Sequence, residues 1–341
     1  MPSTEDRPAY WTFVPALPAP FLKMFVQQAE EGGFTGLFAP QVHGAPFATL
    51  GAAAMASESM QVASGIAIAA VRSPFETAMT AMDLDRISMG RFSLGLGASV
   101  HNWTGGFHGV PKRKPLTDLR ETVAAIRYIV ANAHKGLEPF EGEYYRADFV
   151  DFQPTPPPVR EEIPIWIAAM QRKSVSLAGE VADGLMGHPM WSRHWAEDRV
   201  REELADALRA SGRQRSDFTV HLWPWTLITD DLAQGIEDSR PSIGFYAGID
   251  QYEPYFEEHG FGKEAKACQE RIHEADLAGA AECVTEEMVR TFVLLGSAEE
   301  VQRRIEALWD IADALCPVPP AYGLPPDRLM TYSQRINEVV N

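Results

Sequence analysis

The stretch from Gly65 to Val100 constrains the fold more than any other part of the sequence. It begins with a short apolar run, Gly65 to Val71, which is too brief to span a membrane and predicts a buried strand. Ser73 has the features of a helix N-cap, because Pro74 follows at the first helical position and Glu76 completes a capping box. The stretch therefore opens as a strand that leads into a helix.

The same stretch continues through an amphipathic helix to a second apolar run. Helical spacing of apolar residues extends to Gly90, while Asp83, Asp85 and Arg86 are expected to stay in contact with water. The second run, Phe92 to Leu96, is followed by glycines and small residues. A strand, a helix and a second strand of this kind are typical of parallel α/β folds, in which ligands bind at the carboxyl ends of the strands.

Strand-like and helix-like segments alternate along most of the chain, and about eight strands can be counted. The predicted strands are Tyr10 to Val14, Gly36 to Ala39, Gly65 to Val71, Phe92 to Leu96, Ile163 to Ala169, Ala182 to Gly187, Phe218 to Ile228 and Ala314 to Val318. This pattern favours an α/β fold of the (β/α)8 TIM-barrel type, with insertions in the βα loops, over an open doubly wound sheet. We expect one domain over residues 1–341, with an acidic helical insertion at about 230–290.

Composition excludes several classes of partner. The 341 residues carry a formal net charge of -17, which argues against a nucleic-acid surface or an anionic membrane surface. The three cysteines are widely spaced and form no CxxC pair, so neither a disulfide framework nor a zinc site is expected. No apolar stretch approaches the ~18 residues that cross a bilayer, and the amino terminus lacks the pattern of a signal peptide. We therefore expect a cytoplasmic protein.

Two long blocks resemble a known family. DLDRISMGRFSLGLGAS (Asp83 to Ser99) resembles the bacterial-luciferase-like flavin and deazaflavin oxidoreductases, and IPIWIAAMQRKSVSLAGEVADGLMGHP (Ile163 to Pro189) resembles their deazaflavin-dependent branch. Weaker agreement covers EGGFTGLFAP (Glu31 to Pro40) and GSAEEVQRRI (Gly296 to Ile305), and in the latter Ser297 with Glu300 predicts a second capping box at a helix start. The resemblance implies a (β/α)8 barrel, which agrees with the strand count.

The resemblance also implies where the cofactor ring lies. In the family the ring rests on a bulge after the third strand that contains a cis peptide bond not involving proline, and the matching bond here is Gly65-Ile66. The alternative is that Gly65 is an ordinary strand glycine. Small residues after the fourth strand let the ring pass close to the backbone. The predicted ring contacts are Gln41, Gly65, Ile66, Ala98, Ser99, Gly187 and His188.

A second part of the site is predicted to hold the cofactor phosphate. The segment after Ile163 to Ala169 opens a helix, and the backbone N–H groups of a helix N-terminus bind phosphate. Many relatives have Gly-Pro where this chain has Gln171-Arg172, and a surface turn with two solvated cations is the alternative. The predicted contacts are Ala169, Met170, Gln171, Arg172, Lys173 and Ser174.

Several histidines are candidates for proton handling. Relatives often have a histidine just after the second strand, so His43 is the predicted acid or base, with an ordinary pKa near neutrality. His101 and His188 are alternatives, and Trp103 and Trp191 are predicted to line the substrate pocket together with His101. A metal hydrolase is disfavoured, because no HxH pair at a strand end and no HExxH motif is present.

Taken with the resemblance, these residues predict an oxidoreductase. The first hypothesis is a deazaflavin (coenzyme F-420) enzyme that passes a hydride between ring carbon C5 and a small-molecule substrate. The alternative is an FMN-dependent monooxygenase that uses molecular oxygen and a flavin reductase as partner. A non-catalytic barrel that only binds flavin or another protein is a third possibility. The resemblance also implies a homodimer, whereas the substrate is not encoded in any motif.

Overall fold

The computed structural model describes residues 9–42 and 44–340, and parallel strands alternate with helices through most of them. The chain divides into two compact units, which are Met1–Met186 with Glu202–His221, and Gly187–Arg201 with Leu222–Asn341. Within the described ranges, no helix is both long and apolar enough to cross a membrane.

The first unit is built on a parallel sheet with the strand order β1-β2-β3-β5-β8-β9-β10. Its strands are β1 Trp11–Phe13, β2 Gly36–Ala39, β3 Gln61–Ser64, β4 Ala67–Ile68, β5 Phe92–Gly97, the hairpin β6 Phe140–Glu141 and β7 Arg146–Ala147, β8 Ile165–Ala169, β9 Gly184–Gly187 and β10 Thr219–Leu222. Its helices are α1 Ala19–Glu31, α2 Phe47–Ala56, α3 Pro74–Ile87, α4 His101–Thr104, α5 Pro115–Asn132, α6 Arg172–Val181 and α7 Arg201–Ala210. The short strand β4 also pairs with β5.

The second unit is mainly helical. A π-helical turn, Trp195–Val200, precedes α7, and the remaining elements are β11 Trp225–Ile228, α8 Leu232–Ala247, α9 Glu253–Glu258, α10 Gly262–His273, α11 Leu277–Glu282, α12 Glu286–Phe292, β12 Val293–Gly296, α13 Ala298–Glu306, β13 Ala314–Leu315 and α14 Pro326–Val340. The Cys316 N–H donates to the Leu222 carbonyl at 2.8 Å, which joins β13 to the end of β10 as an eighth strand. The region at about 230–290 that was expected to be helical consists of α8 to α12.

Two helix starts that were predicted from sequence are confirmed. The Ser73 hydroxyl accepts a hydrogen bond from the Glu76 N–H at 3.0 Å, and Pro74 is the first residue of α3. Ser297 and Glu300 form a reciprocal capping box at α13. Both helices therefore begin where local side-chain chemistry satisfies the free N–H groups of the first turn.

The predicted strand from Gly65 to Val71 is wrong. The third strand of the sheet lies earlier, at Gln61–Ser64, and only Ala67–Ile68 of the apolar run is extended and paired, after which 69–71 form a 3-10 turn. Most of the run is buried, and a continuous apolar run does not reveal where a strand ends.

The prediction that Asp85 stays in contact with water is also wrong. Its side chain is 1% exposed and pairs with Arg160, whose Nε lies 3.0 Å from Asp85 Oδ1. Arg160 also donates to the Phe92 carbonyl. A partner from elsewhere in the chain therefore allows a carboxylate to be buried on the inner side of α3.

The single strand predicted from Phe218 to Ile228 is broken into β10 and β11 by Trp223 and Pro224. Proline has no N–H to donate to a sheet ladder, so the parallel sheet cannot continue through Pro224. Beyond the break, β11 pairs in parallel with β12, a strand that the sequence reading missed.

Aromatic side chains from β1, β2, β8 and β10 pack against one another in the core of the first unit. The His221 ring lies 4.9 Å from the Trp11 ring, 5.4 Å from the Phe38 ring and 4.3 Å from the Trp166 ring, measured between centroids. His221 is 1% exposed, and its Nδ1 has no partner among the described residues. Burial lowers the pKa of His221 from 6.5 to about 3, because charging the ring here would leave a cation without water.

This buried histidine makes the stability of the protein dependent on pH. The unfolded chain binds a proton at His221 below pH 6.5, whereas the folded chain binds one only near pH 3, so stability is complete above pH 6.5 and declines as the pH falls. Between pH 7.5 and pH 5.0 we expect His221 to account for a loss of about 2 kcal/mol. Urea unfolding at both pH values will measure this, and an equal loss in wild type and His221→Phe would contradict it.

Candidate active site

The first part of the candidate site is the chain segment just past β3, where the Gly65-Ile66 peptide bond is cis. The prediction of a cis bond at this position is confirmed. The Gly65 N–H donates to the Ala39 carbonyl at 2.9 Å, and the Gln41 N–H donates to the Ile66 carbonyl at 3.2 Å. These two bonds fasten the segment to the end of β2, so the ends of β2 and β3 form one surface.

A side-chain clamp that the sequence reading missed supports the same segment. Gln41 is 8% exposed, and its Oε1 accepts hydrogen bonds from the Ile68 N–H at 2.9 Å and from Arg72 Nη2 at 2.7 Å. The Arg72 guanidinium also lies 5.1 Å from the centre of the Phe47 ring. Burial lowers the pKa of Arg72. Gln41 therefore positions the backbone after the cis bond as well as facing the predicted ring site.

Close packing of the backbone explains two glycines at this end of the sheet. A Cβ on Gly95 would lie 1.9 Å from the Ser64 carbonyl oxygen, and a Cβ on Gly97 would lie 2.9 Å from the Ile66 side chain. The Ser64 hydroxyl donates to the Gly95 carbonyl at 2.8 Å and accepts from the Gly95 N–H at 2.9 Å. The ends of β3 and β5 thus approach each other more closely than side chains would allow.

The residues after β5 continue this surface outward. Ala98 is half-buried, whereas Ser99 is exposed and has a φ of 58°. His101, the first residue of α4, is exposed, and the half-buried Trp103 ring lies 5.9 Å from the Phe107 ring. Among the predicted contacts of this loop, Ala98 is the one that directly follows the strand. Ser99 and His101 are exposed to solvent, and Trp103 is half-buried.

The predicted phosphate loop lies between β8 and α6, and the helix begins at Arg172 as expected. The Ser174 hydroxyl accepts from the N–H groups of Met170 and Gln171, each at 3.2 Å, and donates to the Gln171 carbonyl at 2.7 Å. The single hydroxyl hydrogen of Ser174 therefore already forms a hydrogen bond within the loop. Ser174 shapes the loop, and its own N–H donates to Gln171. The N–H groups of Arg172 and Lys173 are therefore the donors that the first helical turn offers to a ligand.

The two cations of this loop differ in their surroundings. Arg172 Nε lies 3.0 Å from Glu203 Oε2, which already neutralises its charge. Lys173 is exposed, and no described carboxylate lies within ion-pair distance of it. Lys173 and the backbone of α6 therefore fit a phosphate better than Arg172 does. Ala169, the last residue of β8, is buried beside them.

The second unit has a group of candidate residues of its own, which contains His188. The Met190 N–H donates to His188 Nδ1 at 3.3 Å, so the neutral ring carries its hydrogen on Nε2. Burial lowers the pKa of His188 to about 3. The ring is therefore neutral in the physiological range and can donate a hydrogen bond from Nε2.

Three tyrosines that the sequence reading missed lie near this histidine, two in ring contact with it and the third in contact with one of those two. The Tyr246 ring lies 4.7 Å from the His188 ring, and the Tyr252 ring lies 5.7 Å from it. Tyr246 contacts Tyr322 edge to face at 5.9 Å. Burial, the first cause, raises the pKa of Tyr252 to about 12 and also raises the pKa of Tyr246 and Tyr322. All three hydroxyls stay protonated at neutral pH.

A cavity of about 110 Å³ adjoins His188 within the second unit, and Trp191 is among the residues that line it. A Cβ on Gly187 would lie 2.6 Å from the Trp191 ring, so the glycine lets this ring pack against the end of β9. Gly187, His188 and Trp191 therefore lie together within the second unit. His43, the predicted acid or base, lies outside the described residues.

A family model for the luciferase-like monooxygenases matches residues 14–313. The chain belongs to this family. It is therefore an oxidoreductase, as the resemblance implied.

Two relatives from Mycobacterium tuberculosis cover most of the chain. The protein named uncharacterized protein Rv1360 is 30% identical over 80% of this chain and 82% of its own length. The protein named putative coenzyme F420-dependent oxidoreductase Rv3520c is 26% identical over 84% of this chain and 86% of its own length.

Solved structures confirm the predicted TIM-barrel fold. The coenzyme F420-dependent tetrahydromethanopterin reductase from Methanopyrus kandleri superposes with a TM-score of 0.78, covers 97% of this chain and 98% of its own, and is 20% identical. The oxygenating constituent of 3,6-diketocamphane monooxygenase from Pseudomonas putida, in complex with FMN, superposes with a TM-score of 0.66, covers 98% of this chain and 97% of its own, and is 18% identical. A deazaflavin or flavin is thus the cofactor class of these similar proteins.

Proposed function

We propose that this protein is a deazaflavin-dependent oxidoreductase that moves a hydride between carbon C5 of coenzyme F-420 and a small organic substrate. The observation that carries the proposal is the surface formed by the ends of β2, β3 and β5, with the hydrogen-bonded segment from Gly65 to Ile68 at its centre, where the resemblance places the cofactor ring. The names of the F420-dependent relatives favour the deazaflavin over FMN.

The residues of the first unit fit such a cofactor. Gly65 makes room for the Phe38 ring and Gly97 for the Ile66 side chain, so the half-buried Ile66 and Ala98 are the residues that a planar ring would contact at the ends of β3 and β5. The N-terminus of α6, with Lys173 beside it, supplies N–H donors and a positive charge for a phosphate. The bound cofactor would supply the hydride chemistry, and the protein would supply orientation and electrostatics.

His188 is proposed to act on the substrate as a neutral hydrogen-bond donor. Its Nδ1 is held by the Met190 N–H, which leaves the Nε2 hydrogen for a substrate oxygen. A preorganised donor of this kind stabilises the negative charge that develops on a carbonyl oxygen when a hydride arrives at its carbon. His43, which follows β2, is proposed as the group that exchanges the proton with the substrate.

The neutral state of His188 is a testable expectation. Because burial lowers its pKa to about 3, the ring should keep one Nε2 hydrogen from pH 7.5 down to about pH 4. Nitrogen-15 spectra of histidine-labelled protein will measure this, with His188→Gln to assign the signal. A signal from His188 that titrates near pH 6 would contradict the proposed role as a neutral donor.

The proposed function is tested by equilibrium titration of the protein with coenzyme F-420 and, separately, with FMN. We expect saturable binding of the deazaflavin, followed by absorbance and fluorescence, and weaker binding of FMN. Preference for FMN would overturn the deazaflavin proposal in favour of an oxygen-using monooxygenase with a flavin reductase partner. Failure to bind either would overturn the proposed function.

A further inference from the structure

The cavity of the second unit has apolar walls. Trp191, Trp223 and Phe292 contribute aromatic surface, and Leu222, Leu294 and Leu308 contribute aliphatic surface. Most ligand pockets in proteins combine such walls with a small number of polar groups that fix orientation. The identity of those polar groups therefore indicates what chemical class the cavity accepts.

The charged groups that line this cavity are both cations. They are Arg193 and Arg304, and no aspartate or glutamate is among the lining residues. Arg193 pairs with Glu197 on its own helix, so its charge is already balanced. Arg304 has no such carboxylate partner among the described residues, which is unusual in a chain whose formal net charge is -17.

Arg304 is a half-buried cation that lacks a carboxylate partner. Its guanidinium donates to the carbonyls of Leu295 at 3.4 Å and Val293 at 3.2 Å, and no described carboxylate lies within ion-pair distance. The one acid whose charge reaches it, Glu300, already accepts hydrogen bonds from Ser297. Three of the five N–H groups of the guanidinium are therefore without a described acceptor.

An anion in the cavity would give the half-buried Arg304 the charge partner that no described carboxylate supplies. Buried charges in proteins are normally paired, because desolvation without a partner costs several kcal/mol. Burial lowers the pKa of Arg304, and the positive charges of Arg193 and Arg290 lower it further. The planar guanidinium of arginine matches a carboxylate through two parallel hydrogen bonds.

The volume of the cavity limits the size of the ligand. An apolar cavity of roughly 150 Å³ holds a benzene molecule. The cavity here, at about 110 Å³, is smaller, so it suits an acid with a short aliphatic chain rather than an aromatic or long-chain acid.

We propose that this cavity binds a short-chain aliphatic carboxylate, with Arg304 as the residue that recognises the carboxylate group. The further step, that this carboxylate is the substrate, rests on the proposed function. The substrate would then be a short carbonyl acid, whose carbon accepts the hydride from the reduced deazaflavin and whose oxygen accepts a proton, giving the hydroxy acid.

The experiment measures binding of butyrate and of the uncharged butyramide to the protein without any cofactor, by saturation-transfer NMR. We expect saturable binding of butyrate and at least about tenfold weaker binding of butyramide, since a charge-assisted hydrogen bond is lost. Arg304→Gln should weaken butyrate binding by at least about tenfold, and Arg304→Lys by less.

The matched control is Arg303→Gln, which removes the neighbouring exposed arginine of α13 and should bind butyrate as wild type does. Equal binding of butyrate and butyramide, wild-type affinity in Arg304→Gln, or no saturable binding of butyrate would each overturn the inference. The comparison of the two probes on wild-type protein holds even where Arg304→Gln does not fold.

The outcome is separable from that of the deazaflavin titration. Deazaflavin binding without butyrate binding would remove this inference alone. Butyrate binding without deazaflavin binding would retain the carboxylate site and remove its role in the proposed reaction.

Discussion

Replacing Arg160 by methionine is expected to destabilise the protein by about 3–5 kcal/mol, because it leaves the buried Asp85 carboxylate without its partner. Asp85 is 1% exposed, so water cannot replace the lost hydrogen bonds. The same substitution removes the hydrogen bond to the Phe92 carbonyl at the start of β5. Urea unfolding followed by tryptophan fluorescence will give the free energy of unfolding.

Two further variants separate the buried charge from a general effect of losing an arginine. Arg209→Met removes the exposed pair with Asp206 on α7 and should cost no more than about 1 kcal/mol. The double variant Asp85→Leu with Arg160→Met removes both charges and should recover much of the loss. A loss below 1 kcal/mol for Arg160→Met alone would show that the pair does not stabilise the fold.

Gly95→Ala is expected to destabilise the protein by more than about 3 kcal/mol and to abolish cofactor binding. The added Cβ would lie 1.9 Å from the Ser64 carbonyl oxygen, and backbone atoms cannot rotate away as a flexible side chain can. The strands β3 and β5 would have to separate where Ser64 now bonds to Gly95. Thermal unfolding and deazaflavin titration will measure the two effects.

Gly51→Ala is the matched control for this prediction. Gly51 lies within α2, and a Cβ there would meet only the Leu84 side chain, at 3.6 Å. Alanine has a higher helix propensity than glycine, so this variant should be stabilised by up to about 1 kcal/mol. If Gly95→Ala were as stable as Gly51→Ala, the close contact between β3 and β5 would not be a constraint on the sequence.

Local sequence chemistry was sufficient for the features that depend on a few neighbouring residues. Ser73 and Pro74 start α3, and Ser297 caps α13, because each motif satisfies backbone groups within one helical turn. The cis bond at Gly65-Ile66 was predicted from the family resemblance, since no local rule points to it.

Features that depend on distant parts of the chain were not predictable. The partner of Asp85 is Arg160, which is 75 positions away. The spacing of apolar residues along α3 indicated only that Asp85 would be exposed to solvent. Tyr246 of α8 and Tyr252 of the turn after it lie far along the chain from His188, and only the folded chain brings these rings into contact. Such contacts follow from tertiary packing, and they leave no periodic or motif signal in the sequence.

The break at Pro224 has a consequence for how the enzyme can diversify. Pro224 ends the parallel sheet, and Leu222, Trp223 and Pro224 themselves become part of the cavity wall, facing Leu294 of β12. This part of the cavity wall therefore includes the end of β10, where the Leu222 carbonyl also holds β13 in the sheet. Trp223 lies between β10 and β11, so it is the wall residue at which ligand preference can change while both strands are kept.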